Sequence, residues 1–164
     1  MIKLRYDCRL ETSAKEVVDK CTTSRSTLPP DVKENIHRIH KSSARFRTDA
    51  MIEAVKHWWS QVRLVHGIGM RAIFRAEHQF STIRYFTLMA WATTKYIGCA
   101  VSQSCGSYWY IVCHYRVGYW EMLSTSMFTC QAARVLSVRW VTTATRAMDC
   151  APKLRVLYER RAMR

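Results

Sequence analysis

The sequence is poor in acidic residues and has no long apolar run. Its 164 residues include 12 Asp and Glu against 26 Lys and Arg, a formal net charge of +14. No apolar run approaches the roughly 20 residues of a membrane-spanning helix, and Met1 to Leu10 lack the apolar core of a signal peptide. This argues against a transmembrane protein. The excess of basic residues is compatible with binding to nucleic acid, to an anionic surface or to an acidic partner, and it does not distinguish among these three.

Motifs that carry common chemistries are also missing. There is no Cys-x-x-Cys pair, no Gly-x-Gly-x-x-Gly, no P-loop, no His-Glu-x-x-His and no Gly-x-Ser-x-Gly. RNA-recognition and cold-shock signatures are absent as well. Because no nucleophile with a base and an orienting group is visible, we predict no catalytic residue. A hydrolase using Glu34 as base is a weaker alternative that lacks a nucleophile or a metal.

The residues that are present predict one globular domain of mixed helix and strand. Apolar residues make up 49% of the chain, which is ordinary for a folded protein. Apolar spacing predicts helices over 7–20, 48–65 and 82–94, the second capped by Thr48 or Asp49. Aromatic and β-branched runs predict a hairpin of strands 96–102 and 107–115. The segment 22–31 is predicted to be a loop, since Pro29-Pro30 disfavours helix before it.

Cysteines are frequent for a cytosolic chain. There are seven: Cys8, Cys21, Cys99, Cys105, Cys113, Cys130 and Cys150. Three of them lie within fifteen residues around the predicted hairpin, which favours disulfides over buried free thiols. The pairing stays open, and the odd count leaves one thiol without a partner within the chain.

Two further groups of residues each allow two interpretations. His37 and His40, three apart, would share a face if they lay on a helix, but two histidines are only half of a metal site, and exposed side chains are the simpler interpretation. The aromatic run Tyr108-Trp109-Tyr110 is able to stack on bases, although core packing is favoured for alternate residues of a strand.

Five segments together resemble one protein family. Residues 85–91, Tyr-Phe-Thr-Leu-Met-Ala-Trp, followed by Gly98-Cys99, look like the His-Phe-Thr-Gln…Trp…Gly-Cys signature of the CAP superfamily of cysteine-rich secretory, antigen 5 and pathogenesis-related proteins. Residues 110–115, with Cys113 and Tyr115, are similar to its second signature. Residues 54–62 resemble its Trp-x-x-Glu helix, 34–37 its Glu-Asn segment, and 1–14 the first-helix region of nematode venom-allergen-like members. The signature residues retained here are Phe86, Thr87, Trp91, Gly98, Cys99, Cys113 and Tyr115.

This resemblance implies an α+β fold, an α-β-α sandwich over residues 1–120. It implies a secreted protein, and hence a chain truncated at its N-terminus, with the signal peptide and the start of the first helix preceding Met1. It implies no enzymatic activity and no cofactor, and a protein or a lipid such as a sterol as the binding partner. Beyond this domain, 121–164 is expected to be an irregular basic tail.

The family's cleft commonly carries two His and two Glu. The positions that match this tetrad are Arg25, Glu34, Gln61 and Tyr85, so only Glu34 keeps its type. Arginine offers no lone pair to a metal and glutamine is a weak neutral ligand, so we expect a degenerate cleft without metal. An ion pair between Arg25 and Glu34 is a further hypothesis, with a solvated Arg25 as its alternative. The alternative function, from another class, is an intracellular protein that binds nucleic acid through the Arg-rich tail.

Overall fold

The computed structural model describes residues 4–64, 78, 81–91 and 94–117. Three helices and four strands lie within these ranges. In chain order they are β1 (Arg5–Tyr6), α1 (Cys8–Val18), β2 (Val32–His40), α2 (Arg47–Ser60), α3 (Ile83–Ala90), β3 (Thr94–Val101) and β4 (Tyr108–Val117). A short 3-10 turn, Gln61–Arg63, follows α2 directly.

The strands form one mixed sheet in the order β1-β3-β4-β2. The neighbours β3 and β4 are antiparallel, and so are β4 and β2, whereas β1 runs parallel to β3. The predicted hairpin is therefore confirmed. The strand β2 is an edge strand of the described sheet, a position that leaves one side of it open to loops and helix ends.

Helices cover both faces of the sheet. On one face, α1 packs Ala14, Val17 and Val18 against Ile36 and Val112. On the other face, α2 and α3 bury residues that include Met51, Trp58 and Met89 against the alternate side chains of β3 and β4. Because alternate residues of a strand point to opposite faces, each central strand contributes to both cores. The predicted α-β-α sandwich is confirmed.

The helix boundaries differ from the prediction in three places, of which the first is the end of the second helix, at Ser60 and not at residue 65. The second helix begins at Arg47, and its N-cap is Phe46, whose backbone N–H donates to the Asp49 carboxylate at 3.1 Å. Neither Thr48 nor Asp49 is therefore the cap. The third helix ends at Ala90, because Thr94 already pairs with Val117 in the sheet. The first helix is confirmed within two residues at each end, with Asp7 accepting from the N–H of Arg9 at 2.8 Å.

The strand β2 was not predicted, and it excludes the shared helix face for two histidines, of which His40 is exposed and His37 partly buried. His37 and His40 lie on a strand rather than a helix, so their side chains point to opposite faces.

The aromatic run on β4 is also split between the two faces of the sheet. Trp109 and Tyr110 pack against the two different cores, whereas Tyr108 remains 37% exposed.

Two disulfides join cysteines of the described residues. Cys21 pairs with Cys105, across 84 residues of sequence, and Cys99 pairs with Cys113 on the adjacent strand. Cys8 is disulfide-bonded as well. The preference for disulfides over free thiols is confirmed at these five positions. Cys130, Cys150 and the predicted tail at 121–164 lie outside the described residues.

Within the described ranges, no helix has the length and apolarity that crossing a membrane requires.

Candidate functional site

The only acidic residue of the predicted tetrad is buried against a histidine. Glu34 on β2 is in register with His114 on β4, and its Oε2 lies 3.5 Å from His114 Nε2, with both side chains buried. The other oxygen, Oε1, accepts from the backbone N–H of Ser26 at 2.7 Å. The Ser26 N–H compensates the burial of Oε1, whereas Oε2 and both ring nitrogens of His114 are buried without a hydrogen-bond partner among the described residues. The expected ion pair with Arg25 is wrong, since Arg25 is exposed and its guanidinium makes no ion pair with Glu34.

The next residue along β2 ties the sheet to α3. Asn35 is fully buried, and its Nδ2 donates to the backbone carbonyl of Tyr85 at 3.0 Å and to the hydroxyl of Tyr115 at 3.4 Å. Burial of the Tyr115 phenol raises its pKa above the ordinary value, and the Asn35 hydrogen bond offsets this only in part. The hydroxyl therefore stays neutral, and Asn35 fixes the position of Tyr85 relative to the sheet.

Gln61 lies in a separate environment at the end of α2. Its Nε2 lies 3.3 Å from His57 Nε2 and donates to the His57 carbonyl at 3.1 Å. The His57 ring stacks on His37 of β2, with centroids 4.1 Å apart and planes at 18°. Burial and the neighbouring His57 lower the pKa of His37 to about 4. No local sequence pattern predicts this contact, because it joins residues on two different elements.

A cleft of about 210 Å³ lies where the loop after α1 approaches the start of α3. Two tetrad positions, Arg25 and Tyr85, line it, while Glu34 and Gln61 do not. The lining residues are Thr23, Arg25, Ile36, Ser81, Thr82, Arg84 and Tyr85. Sequence reasoning missed Arg84. The structure thus brings together two of the four predicted positions and adds a second arginine to them.

The signature residues retained from the family lie in the structural elements around this cleft. Phe86 packs edge-on against Trp59, with ring centroids 4.9 Å apart, and the Thr87 hydroxyl donates to the Ile83 carbonyl at 2.9 Å. Trp91 packs at the border of the core. The remaining four, Gly98, Cys99, Cys113 and Tyr115, are buried in the two central strands.

No three His, Cys, Asp or Glu side chains converge as a metal-binding group among the residues that the structure describes. The Glu34–His114 contact supplies two such groups, and each already faces the other.

The sandwich fold and the signature residues together indicate one protein family, and comparison with known proteins identifies the same family. The model of the CAP family, the cysteine-rich secretory protein family, matches residues 1–115. This chain belongs to the CAP family.

Particular relatives come from nematodes. The chain is 32% identical over 124 residues to "Ancylostoma secreted protein" of Ancylostoma caninum, a match that covers 72% of this chain and 28% of that protein. Among solved structures it is similar to BmVAL-1, with a TM-score of 0.67 and 26% identity over 78% of this chain and 64% of the other.

It is also similar to Na-ASP-1, with a TM-score of 0.65 and 29% identity over 79% of this chain and 33% of the other. A third neighbour, NaASP2, was solved with Zn²⁺ and has a TM-score of 0.61 and 27% identity, over 70% of this chain and 60% of the other. This chain therefore spans less than two thirds of the length of each of these relatives.

Proposed function

We propose that this chain is a secreted, non-catalytic binding protein, and that its cleft has lost the donor set for a divalent cation. Its ligand is a protein or a lipid such as a sterol. The observation that carries the proposal is the lining of the cleft, whose described residues include no His, Cys, Asp or Glu. Zinc prefers imidazole, thiolate and carboxylate ligands, and a guanidinium offers none of these.

The disulfides support the extracellular part of the proposal. Pairs such as Cys21–Cys105 and Cys99–Cys113 persist in oxidising compartments and are rare in the cytosol. The relative "Ancylostoma secreted protein" points the same way.

A calorimetric zinc titration tests whether the cleft binds a divalent cation. Zinc is the informative metal because the neighbour NaASP2 was solved with Zn²⁺. The wild-type chain should show no tight 1:1 binding. The double variant Arg25→His/Tyr85→His, which places two imidazoles in the cleft, should gain zinc affinity. Arg38→His, an exposed arginine away from the cleft, is the matched control and should gain none. Tight binding by the wild type that disappears in Glu34→Ala would contradict the proposal.

A titration with a fluorescent sterol separates the two proposed ligand classes. Saturable binding at a defined stoichiometry identifies a lipid ligand. Absence of binding excludes the sterol and leaves another lipid or a protein as the ligand, the protein to be sought by crosslinking.

A second candidate function is nucleic-acid binding, with which the net charge of +14 is compatible. It predicts that affinity for a random DNA duplex falls steeply and linearly with the logarithm of salt concentration, with a slope that corresponds to several phosphate contacts. A shallow slope would argue against it.

A further inference from the structure

Two arginines converge on the cleft, and none of the described residues that line it is acidic. Arg25 reaches it from the loop after α1, and Arg84 reaches it from the first turn of α3. The hydroxyls of Thr23, Ser81 and Thr82 complete the polar part of the lining. The cleft therefore offers hydrogen-bond donors and positive charge, and no carboxylate belongs to the part of its lining that the structure describes.

Neither guanidinium forms an ion pair within the described part of the chain. Arg116 shows the contrast, because its guanidinium contacts Asp7 at 3.0 Å and Asp31 at 3.6 Å. Glu34 is close to Arg25 in sequence, but its carboxylate already contacts Ser26 N–H and His114. Unneutralised charges of one sign in a concave site concentrate the field and attract counter-ions.

The loop that carries Arg25 is anchored on both sides. The disulfide between Cys21 and Cys105 fixes its start, and the hydrogen bond from Ser26 N–H to Glu34 fixes the residue directly after Arg25. The anchoring holds the backbone of this loop against the sheet, so binding through Arg25 costs less ordering entropy than binding by a free loop.

Arg84 is positioned in a different way. Its guanidinium lies over the Tyr85 ring, 4.8 Å from the centroid, and the Tyr85 backbone is held by Asn35. A guanidinium stacked on its face keeps its N–H edge available for hydrogen bonding. The fork of N–H groups matches the oxygens of a phosphate and binds them in pairs.

From this arrangement we propose that the cleft binds a tetrahedral oxyanion, a phosphate or sulfate group, through Arg25 and Arg84. The inference goes beyond the proposed function, because it adds an oxyanion group to the ligands that the cleft accepts. A cleft of about 210 Å³ has room for such a group and for a few atoms of the molecule that carries it, since a water takes about 30 Å³ of liquid. The hydroxyls of Ser81 and Thr82 are additional donors to the oxygens.

Calorimetry with inorganic phosphate at constant ionic strength tests the proposal. The wild-type chain should bind one phosphate, and Arg25→Gln and Arg84→Gln should each weaken the affinity at least tenfold. Arg38→Gln removes the same charge from an exposed site outside the cleft, so it should bind like the wild type. Thermal melting of each variant confirms that it remains folded.

Equal weakening in all three variants would overturn the proposal, because it would show that the net charge alone attracts the anion. No phosphate binding by the wild type would overturn it as well. Either result leaves the zinc titration unaffected, so failure of this inference is distinguishable from failure of the proposed function.

A second arm identifies where the phosphate comes from. Phosphatidylcholine vesicles with and without phosphatidic acid are sedimented with each variant. Binding that requires phosphatidic acid, and that is lost in Arg25→Gln but kept in Arg38→Gln, identifies a lipid headgroup. Phosphate binding in solution without vesicle binding identifies a small phosphorylated or sulfated molecule. Both results support the proposal.

Discussion

Gly98 makes the closest contact between α1 and the sheet, so Gly98→Ala tests how the domain is packed. A Cβ built at Gly98 would lie 2.5 Å from the Leu10 carbonyl carbon and 2.6 Å from Leu10 Cβ, and it would also clash with the Glu11 backbone nitrogen. Atoms of a helix backbone cannot rotate away as a side-chain end can. Carbon atoms pack at about 3.5 Å or more, so α1 would have to move away from the sheet by about 1 Å.

This movement loosens the core beneath α1. Overpacking of a core typically costs about 1–3 kcal/mol, and the backbone contacts place this variant at the upper end, about 3 kcal/mol. For a domain of this size that corresponds to a fall in Tm of about 6–12 °C. Urea denaturation followed by circular dichroism measures the free energy of unfolding of both proteins.

The matched control is Gly106→Ala in the β3–β4 turn. Gly106 has a φ of +56°, but no atom lies within 4 Å of an added Cβ. The control therefore carries only the cost of a left-handed residue, about 1 kcal/mol. If Gly98→Ala were no more destabilising than Gly106→Ala, the close packing of α1 on the sheet would be refuted.

Other predictions concern the disulfides and acid stability. Replacing both Cys21 and Cys105 with Ala should cost about 4.6 kcal/mol, against about 3 kcal/mol for Cys99 and Cys113, because the first pair closes the longer loop. Urea denaturation gives both values, and the reverse order would contradict the loop argument. His37 has a folded pKa near 4, below its unfolded value of 6.5, so the unfolded chain takes up its proton first as the pH falls. Stability should therefore fall between pH 6.5 and pH 4, by about 1–2 kcal/mol because the ring is only partly buried, and less in His37→Gln. An identical pH dependence in the variant would refute this assignment.

The parts of the fold that the sequence predicted are those where side-chain spacing follows burial. Along α2, Met51, Ala54, Val55 and Trp58 are buried at helical spacing, which made that helix recognisable. The hairpin was recognisable because β3 and β4 are rich in aromatic and β-branched residues and the turn between them contains Gly106.

The strand β2 was missed because burial along it does not follow apolarity. Glu34 and Asn35 are both buried, on opposite faces, so the alternation of polar and apolar residues is broken. Each has partners that are distant in sequence: His114 for the carboxylate, Tyr85 and Tyr115 for the amide. Sequence spacing cannot show such partners, and the ion pair with Arg25 was one of two hypotheses that it left open.

The signature residues and the cleft-lining tetrad positions lie in different parts of the fold, and this difference explains how a cleft can change while the fold persists. Gly98, Cys99 and Cys113 lie in the central strands, where a substitution acts on the packing between the sheet and its helices. Arg25 lies on a surface loop, and Tyr85 is only partly buried on α3. At both positions a change of side chain alters the lining of the cleft without opening the core. A chain can therefore keep the scaffold and replace the chemistry of the site, so the ligand must be argued from the cleft residues and not from the fold.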